Sequence, residues 1–242
     1  MKEEQDAFGR EIFAHFTGKD VIEITERDDG FIGAGRGPAA YFAPFEDWLP
    51  QERDAMQFVQ GRVLDVGCGA GRVCLYLQEH GFDVQGIDNS PLALEVCRQR
   101  GVMNLDLTPL SQVSSRLGVF DTIVMLGNNF GLFGSYQGAK RLLRRFHHLT
   151  SREARIIAES NDIYQTTDPL HLAYHARNRQ RDRMSGQIRL RVRYQTWKGP
   201  WFDYLMVSPN EMQDILMGTG WHTERFLHAL ESPLYVAIIG KD

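Results

Sequence analysis

The segment from Val63 to Arg72 constrains the fold of this chain most strongly, because its character changes twice within a few residues. Val63, Leu64 and Val66 form the short apolar run that is typical of a buried strand. The glycines that follow allow positive φ and close approach of a ligand, and they are Gly67, Gly69 and Gly71. A helical pattern then begins at Arg72. This strand, turn and helix predict a nucleotide-sized ligand at the helix N-terminus.

The spacing of these glycines argues against a dinucleotide. The dinucleotide pattern G-x-G-x-x-G, started at Gly67, requires its third glycine at the position that Arg72 occupies. The sequence instead reads D-x-G-x-G-x-G, with Asp65 at its head. NAD is therefore not the expected ligand.

A second strand, from Phe82 to Asp88, ends in a carboxylate. Asp88 follows Gly71 by 17 residues (88 − 71), which leaves room for one helix and one strand. Its side chain can accept two hydroxyl hydrogen bonds and would repel a 2′-phosphate. Ser90 and Pro91 then provide an N-cap and a first turn for the next helix. Asp88 is thus a candidate hydrogen-bond acceptor at the end of this strand.

Two further segments follow at regular spacing. They are Met103–Leu107, which contains Asp106, and the apolar run Phe120–Leu126. Together the four segments resemble the class I S-adenosylmethionine-dependent methyltransferases over about residues 60–160, and by architecture alone over 209–242. The resemblance implies S-adenosylmethionine as cofactor and S-adenosylhomocysteine as product.

The resemblance also implies roles for individual residues. Asp88 would bind both ribose hydroxyls, and Asp106 would lie near the adenine amino group. The residues that we expect to bind the cofactor are Asp65, Gly67, Cys68, Gly69, Gly71, Asp88, Asn89, Asp106, Leu107 and Asn128.

Strand and helix patterns alternate along the chain. The predicted strands are 62–66, 83–87, 102–106, 120–126, 154–159, 221–228 and 234–239, and the predicted helices are 5–16, 72–80, 91–99, 108–116, 136–149 and 210–217. Such alternation predicts an α/β fold with a parallel sheet and right-handed crossovers. The resemblance implies a doubly wound, Rossmann-like sheet of seven strands, mostly parallel with an antiparallel last strand.

With 242 residues, 43% of them hydrophobic, the chain can build one sizeable core. We expect a helical or lid segment at 1–55 and a cofactor-binding methyltransferase domain at 56–242. Residues 161–208 form an inserted β-hairpin and helical lid, with predicted strands at 188–197 and 202–207. The resemblance implies that such insertions carry acceptor specificity.

The acceptor site is less well defined. The candidate acceptor-binding residues are Tyr41, Asn129, Tyr174 and Trp201. Methyl transfer from a sulfonium depends mainly on positioning, so a catalytic base is not obligatory. For an acceptor of high pKa, His171 and His175 are the candidate bases; otherwise they are structural. No metal is expected, because Leu172 stands where H-E-x-x-H requires Glu.

The loop after the fourth strand lacks the proline motif of amino-methylating enzymes. Enzymes that methylate amino groups of DNA bases and of protein glutamine often carry Asp/Asn/Ser-Pro-Pro-aromatic there, whereas this chain has Asn128, Asn129 and Phe130. Methylation of a nucleobase amino group is therefore disfavoured. Asn128 and Asn129 either bind the cofactor or acceptor or simply form a turn.

The net charge of −4 argues against a strongly basic protein that binds nucleic acid. One basic strand pattern, with Arg189, Arg191 and Arg193 at alternate positions, predicts an exposed face that is either solubilising or an anion clamp. The main hypothesis is methylation of a small-molecule acceptor. The alternatives are an RNA-directed methyltransferase that uses residues 177–193 and a non-enzymatic module that binds S-adenosylmethionine. The oligomeric state stays open.

Targeting signals are not evident. No apolar stretch is long enough for a membrane span, and the start from Met1 to Asp6 is no secretory signal, so we expect a cytoplasmic protein without a membrane partner. Cys68, Cys74 and Cys97 form no C-x-x-C pair, which argues against a disulfide framework or a zinc knuckle.

Overall fold

The computed structural model describes residues 3–35, 37–230 and 232–242. Met1, Lys2 and Arg36, which belong to the predicted segment 1–55, lie outside the described residues. The helices are α1 (Ala7–Phe16), α2 (Pro50–Ala55), α3 (Arg72–Glu79), α4 (Pro91–Gln99), α5 (Tyr136–His148), α6 (Pro169–Arg179) and α7 (Pro209–Leu216). The strands are β1 (Ile24–Arg27), β2 (Ile32–Ala34), β3 (Val63–Val66), β4 (Val84–Asp88), β5 (Leu105–Leu107), β6 (Phe120–Met125), β7 (Thr150–Asn161), β8 (Gln187–Tyr194), β9 (Trp197–Lys198), β10 (Phe202–Leu205), β11 (Trp221–His228) and β12 (Leu234–Lys241).

The larger of two sheets has seven strands in the order β11-β12-β7-β6-β3-β4-β5. Strand β4 runs parallel to β3 and β5, and β6 runs parallel to β7. Strand β12 is inserted antiparallel between β7 and β11. The predicted α/β fold, with a mostly parallel sheet of seven strands and an antiparallel last strand, is confirmed.

The smaller sheet has the order β10-β8-β1-β2, with β9 paired to β8. Strands β8 and β10 correspond to the two strands predicted in the insertion. Strand β1 pairs antiparallel with both β2 and β8. This places part of the N-terminal segment and part of the insertion in one sheet.

The chain forms two compact units. The first contains the residues up to Trp48 together with Arg62–Val113 and Arg189–Phe202, and the second contains Leu49–Gly61, Ser114–Ile188 and Asp203–Asp242. The boundaries that we predicted at 55/56 and around 161–208 stay predictions.

The first unit is organised around β3, of which every residue is buried. The Ser90 side chain caps α4 by accepting from the Ala93 N–H, and Pro91 occupies the first turn, as predicted. Helix α1 lies against α4, and its Ile12 packs on Ala70 and Val96. The N-terminal segment therefore belongs to the core of this unit.

In the second unit, β7 pairs with β6 on one side and with β12 on the other. Helix α5 begins at the N-cap Ser135, whose side chain accepts from the Gly138 N–H. Its apolar stripe, which includes Leu142, Leu143 and Phe146, is buried. Strand β7 is longer than the predicted 154–159, because its pairing with β12 extends to Asn161.

The predicted helix at 108–116 is wrong. Two short 3-10 turns replace it, Leu110–Gln112 and Ser115–Leu117. Within 108–116 only Thr108 and Val113 are buried, and the serines at 111, 114 and 115 favour turns over helix. Two buried positions, five residues apart, do not form the apolar stripe that would hold an amphipathic helix against a core. Strand β5 also begins later than the predicted residue 102.

Two members of the predicted arginine face of β8 are only partly exposed, because they pair with an acidic residue of β1. Arg191 donates two hydrogen bonds, of 2.9 and 3.0 Å, to the carboxylate of Glu26 on β1. Arg193 donates to the same carboxylate at 3.3 Å, and the two arginine side chains are 19% and 34% exposed. Because β1 pairs with β8, the Glu26 carboxylate offsets part of the positive charge of this face. Arg189 is exposed as predicted.

No helix among residues 3–35, 37–230 and 232–242 is both long enough and apolar enough to cross a membrane.

Candidate functional site

The glycine loop of the first unit connects β3 to α3. Gly67, Gly69 and Gly71 have φ values of +73°, +56° and +83°. L residues with a side chain rarely adopt this region, so all three positions favour glycine. A Cβ on Gly71 would also lie 2.8 Å from Cγ2 of Val102. The sequence pattern therefore reflects both backbone conformation and lack of space.

Asp88 lies at the end of β4, within hydrogen-bond distance of this loop. One of its carboxylate oxygens accepts from the Gly69 N–H at 3.0 Å, and the other accepts from the Ser90 N–H at 2.9 Å. The residue is 7% exposed, and burial raises its pKa to about 6 despite these bonds. Each carboxylate oxygen keeps a further lone pair that can accept from a hydroxyl.

Asp65 is 3% exposed on β3. Its Oδ2 accepts from the thiol of Cys74 on α3 at 3.2 Å. Burial raises its pKa to about 6, an effect that the Cys74 bond and Arg72 partly offset. In this structure the Asp65 carboxylate thus accepts a hydrogen bond from α3, and a direct contact with a cofactor stays a prediction.

The three cysteines lie together under the glycine loop as free, buried thiols. Cys97 donates to the carbonyl of Gly69 at 3.0 Å. Its bond with Cys68 and its burial raise the Cys97 thiol pKa above its usual range. The Cys97 thiol is therefore protonated and acts as a hydrogen-bond donor to the loop backbone.

Asp106 and Leu107 lie on β5, next to the end of β4. Leu107 is the register partner of Asp88. Asp106 is half-buried and accepts from the Thr108 hydroxyl, whereas Leu107 and Asn89 are exposed. The first unit thus brings the glycine loop, Asp88 and Asp106 to the same end of β3, β4 and β5.

Asp6 joins α1 to the segment after β4, and no sequence pattern singled it out for this role. It is fully buried at the N-cap of α1, where Oδ1 accepts from the Gly9 N–H at 2.8 Å. Oδ2 accepts from the Ser90 hydroxyl at 2.8 Å and from the Leu92 N–H at 3.1 Å. An Asp before a helix predicts an N-cap, but it does not predict hydrogen-bond partners more than eighty residues away.

Tyr41 lies over the glycine loop. A Cβ on Gly69 would lie 3.3 Å from Cδ1 of Tyr41, so the ring needs a glycine there. The ring meets Phe8 of α1 edge to face at 5.4 Å, and its hydroxyl donates to Glu23 at 3.2 Å. Trp201, also an acceptor-binding candidate, lies half-buried under the Arg191 guanidinium at 4.5 Å.

In the second unit, Asn128 follows β6 in a left-handed conformation with φ +63°. Its N–H donates to Glu159 Oε2 at 2.7 Å, and its carbonyl accepts from the Tyr204 hydroxyl at 2.5 Å. Its side-chain oxygen is buried without a hydrogen-bond partner among the described residues. The short turn Asn129–Phe133 follows, in which Asn129 is half-buried.

Glu159 and Tyr204 hold this Asn128 loop, and no sequence pattern singled them out. Glu159 is 1% exposed on β7. The Tyr204 ring also passes Gly131, where a Cβ would lie 2.2 Å from Cε1. A glycine in G-N-N-F-G is a weak local signal for a nearby ring, but the partner ring is far away in sequence.

The histidine candidates lie on α6, which Asp168 caps by accepting from the Leu170 N–H at 2.7 Å. His171 is partly exposed, with Nε2 3.9 Å from Asp168 Oδ2. His175 is 5% exposed, and the neighbouring Tyr174 is also buried. In the part of the chain that the structure describes, no group of three or more His, Cys, Asp or Glu side chains is arranged to hold a metal ion.

Comparisons with known proteins extend this picture. A family model described as "Methyltransferase domain" matches residues 63–153. A 2-heptyl-1-hydroxyquinolin-4(1H)-one methyltransferase from Mycobacteroides abscessus is 36% identical over 72 residues, which cover 27% of this chain and 32% of that protein. A ubiquinone biosynthesis O-methyltransferase from Methylocella silvestris is 32% identical over 84 residues, 32% of this chain and 33% of that protein. The chain thus spans about a third of the length of these curated relatives.

A solved structure matches over the whole length. A SAM-dependent methyltransferase from Bacteroides fragilis, in complex with S-adenosyl-L-homocysteine, superposes with a TM-score of 0.83. The match covers 100% of this chain and 97% of that one, at 24% sequence identity. At this identity the match shows a common fold.

Proposed function

Because residues 63–153 match a methyltransferase-domain model, we propose that this chain is a class I S-adenosylmethionine-dependent methyltransferase that transfers a methyl group from that cofactor to a small-molecule acceptor. The observation that carries the proposal is the position of Asp88, a buried carboxylate bonded to the Gly69 N–H of a loop with three left-handed glycines.

The residues of the first unit fit this cofactor. Asp88 accepts the two ribose hydroxyls with the lone pairs that its backbone donors leave open. The glycine loop lets a ligand approach the backbone, because a side chain at Gly69 would occupy the space beside Tyr41. Asp106, at the end of β5, accepts a hydrogen bond from the adenine amino group. A carboxylate at position 88 also disfavours a 2′-phosphate.

The cofactor supplies an activated sulfonium methyl group when it is bound. The protein's contribution is then to hold an oxygen, nitrogen or carbon nucleophile in line with that methyl and to keep water out. In this proposal Asn129 binds the acceptor. Asn128, with its unpartnered side-chain oxygen, can accept from a donor on a bound molecule.

A small-molecule acceptor is supported by the relatives, which are named for a hydroxyquinolone and for ubiquinone biosynthesis. It is also supported by the β8 arginines, since Glu26 already engages Arg191 and Arg193. An RNA-binding face would leave such guanidinium groups available for phosphates.

The proposal is tested by calorimetric titration with S-adenosylmethionine, S-adenosylhomocysteine and NAD. We expect the first two to bind and NAD not to bind. Asp88→Ala removes a charged acceptor from two hydroxyl donors, so affinity should fall about 100-fold.

Asp83→Ala is the matched control. Asp83 lies just before the same strand, is exposed and pairs with Arg62 at the surface, so its removal should leave binding unchanged. A wild-type protein that binds neither S-adenosylmethionine nor S-adenosylhomocysteine would overturn the proposed function.

A further inference from the structure

Helix α6 exposes two leucines that no role described above requires. Leu170 is 60% exposed, and Leu172 is 48% exposed. The buried side of the same helix holds polar and aromatic residues instead, and they are Tyr174, His175 and Asn178. A helix on a protein surface usually buries its apolar stripe and exposes its charged side. Helix α6 reverses this arrangement, so its exposed side is suited to contact with an apolar surface.

Helix α5, in the same unit, has the usual arrangement. Its leucines Leu142 and Leu143 are buried, and its arginines Arg141 and Arg144 are exposed. The two helices are of similar length, and both carry arginines. The exposed leucines are therefore a property of α6 and do not extend to the other long helix of the unit.

The exposed side of α6 is a continuous apolar stripe bordered by basic residues. At about 3.6 residues per turn, four of its residues lie within an arc of about 100°, and they are Pro169, Leu172, Ala173 and Ala176. Arg179 borders this stripe on one side, and Arg177 and Leu170 border it on the other. The helix contains no acidic residue. These seven residues form the α6 face, which is apolar at its centre and positively charged at its edges.

The turn after α6 adds to this positive charge. Residues 168–183 include four arginines and two aspartates. Arg183 pairs with Asp203 at 3.0 Å, so its charge is offset. Arg179 donates to a serine hydroxyl at 3.0 Å, which leaves its charge in place. The two other arginines are half-buried and exposed, respectively, and they are Arg177 and Arg181.

This combination of leucines and arginines favours one kind of partner. A helix with an apolar stripe and arginines at its edges is typical of helices that lie in the interface of an anionic bilayer. A second copy of the chain, docked by the same face, would bring the arginines of both copies together, which like-charge repulsion disfavours. A nucleic acid would pair with the arginines but would leave the leucines in water.

We propose that the α6 face binds the surface of a bilayer that contains anionic lipids. Leu170 and Leu172 insert between the acyl chains, and the arginines pair with lipid phosphates. This association requires neither a spanning helix nor a bound cofactor. It departs from the sequence prediction of no membrane partner, because that prediction rested only on the lack of a long apolar stretch and of a secretory signal.

Co-sedimentation with sucrose-loaded vesicles measures the binding. One set of vesicles is phosphatidylcholine alone, and the other contains about one phosphatidylglycerol for every three phosphatidylcholines. We expect the wild-type protein to bind the anionic vesicles at least about tenfold more strongly than the neutral ones. High sodium chloride should weaken this binding, because it screens the attraction between guanidinium groups and lipid phosphates.

Two double variants separate the apolar contribution from the charged one. Leu170→Ser with Leu172→Ser should weaken binding to anionic vesicles about tenfold, because both side chains lose their burial in lipid. Arg177→Gln with Arg181→Gln should weaken it about 25-fold, which corresponds to about fivefold for each arginine.

Val119→Ser and Arg141→Gln are the matched controls, since both residues are exposed elsewhere in the same unit, and both variants should bind as wild type. Circular dichroism establishes that each variant is folded. Failure of the wild-type protein to bind anionic vesicles, or unchanged binding in the leucine variant, would overturn the inference.

The other two occupants are tested with the same variants. Without vesicle binding, a dimer in analytical ultracentrifugation that the leucine substitutions dissociate would assign the α6 face to a second copy of the chain. Without vesicle binding, retention of bulk transfer RNA that the arginine substitutions abolish would assign the arginines to a nucleic acid. Either result would overturn the inference.

Discussion

The glycine loop after β3 and the Asn128 loop after β6 both hold left-handed backbone at the end of a buried strand, but by different means. Three glycines remove the steric cost in the first loop, and Asp88 accepts from its backbone. In the second loop the backbone of Asn128 is left-handed, with φ +63°, although the residue has a side chain. Its N–H donates to Glu159 and its carbonyl accepts from the Tyr204 hydroxyl. One loop avoids strain, whereas the other is held in spite of it.

The two loops differ in how far along the chain their hydrogen-bond partners lie. The bond from Gly69 to Asp88 joins residues 19 apart, within one strand–helix–strand repeat. Asn128 is 31 residues from Glu159 and 76 from Tyr204. The first loop therefore depends on its own backbone freedom, and the second depends on side chains that arrive only when distant segments have folded.

The largest effect is expected for Gly71→Ala. A side chain there meets both the left-handed conformation and Val102, so the free energy of unfolding should fall by about 3 kcal/mol. Gly81→Ala has nearly the same φ of +82° but nothing within 4 Å, so about 1 kcal/mol is expected. Urea denaturation measures both. Equal losses would show that crowding around the first loop is unimportant.

Glu159→Ala tests the support of the second loop. It leaves the Asn128 N–H buried without its acceptor, and we expect a loss of about 2 kcal/mol in the free energy of unfolding. Glu159→Gln keeps an oxygen at the same place and should lose less than half as much. If the two variants are equally destabilised, it is the charge of Glu159 that matters, and the bond to Asn128 does not hold the loop.

The first loop should also respond to pH. The pKa of Asp88 is raised to about 6, and a ribose hydroxyl needs the ionised form, so ligand binding is coupled to proton loss. Affinity for S-adenosylhomocysteine should be constant above pH 7 and fall towards tenfold per pH unit below 6. Calorimetry from pH 5 to 8 measures this dependence. Asp88→Asn should weaken binding and flatten the profile; an unchanged slope would assign it to Asp65, whose pKa is also raised to about 6.

The smallest effect has the opposite sign. Asn128→Gly relieves the left-handed strain of the second loop, so the free energy of unfolding should rise by up to about 1 kcal/mol. Thermal denaturation measures it, with Asn129→Gly as the control at a neighbouring position. A clear loss of stability in Asn128→Gly would mean that its side chain contributes more than its conformation costs.

The features of the first loop could be predicted from the sequence, whereas the contacts that support the second loop could not. The glycine spacing, Asp88 and the Ser90 cap depend on neighbours in sequence, and the structure has each of these elements where it was predicted. The functional roles of these residues stay predictions. Glu159, Tyr204 and the remote partners of Asp6 depend on which strands and helices become neighbours, which no local pattern encodes. The segment 108–116 failed for a related reason, since its spacing suits a helix but the fold buries too little of it.

Asp6 has a consequence for the exchange of backbone amides with solvent. Its carboxylate bonds the Gly9 and Leu92 amides, one on α1 and one on α4, together with the Ser90 hydroxyl. We therefore expect the first turns of both helices to open together, with their amide hydrogens exchanging with deuterium at a common rate. Because Ser90 also donates its N–H to Asp88, a ligand that protects Asp88 should slow exchange in α1, more than eighty residues away along the chain.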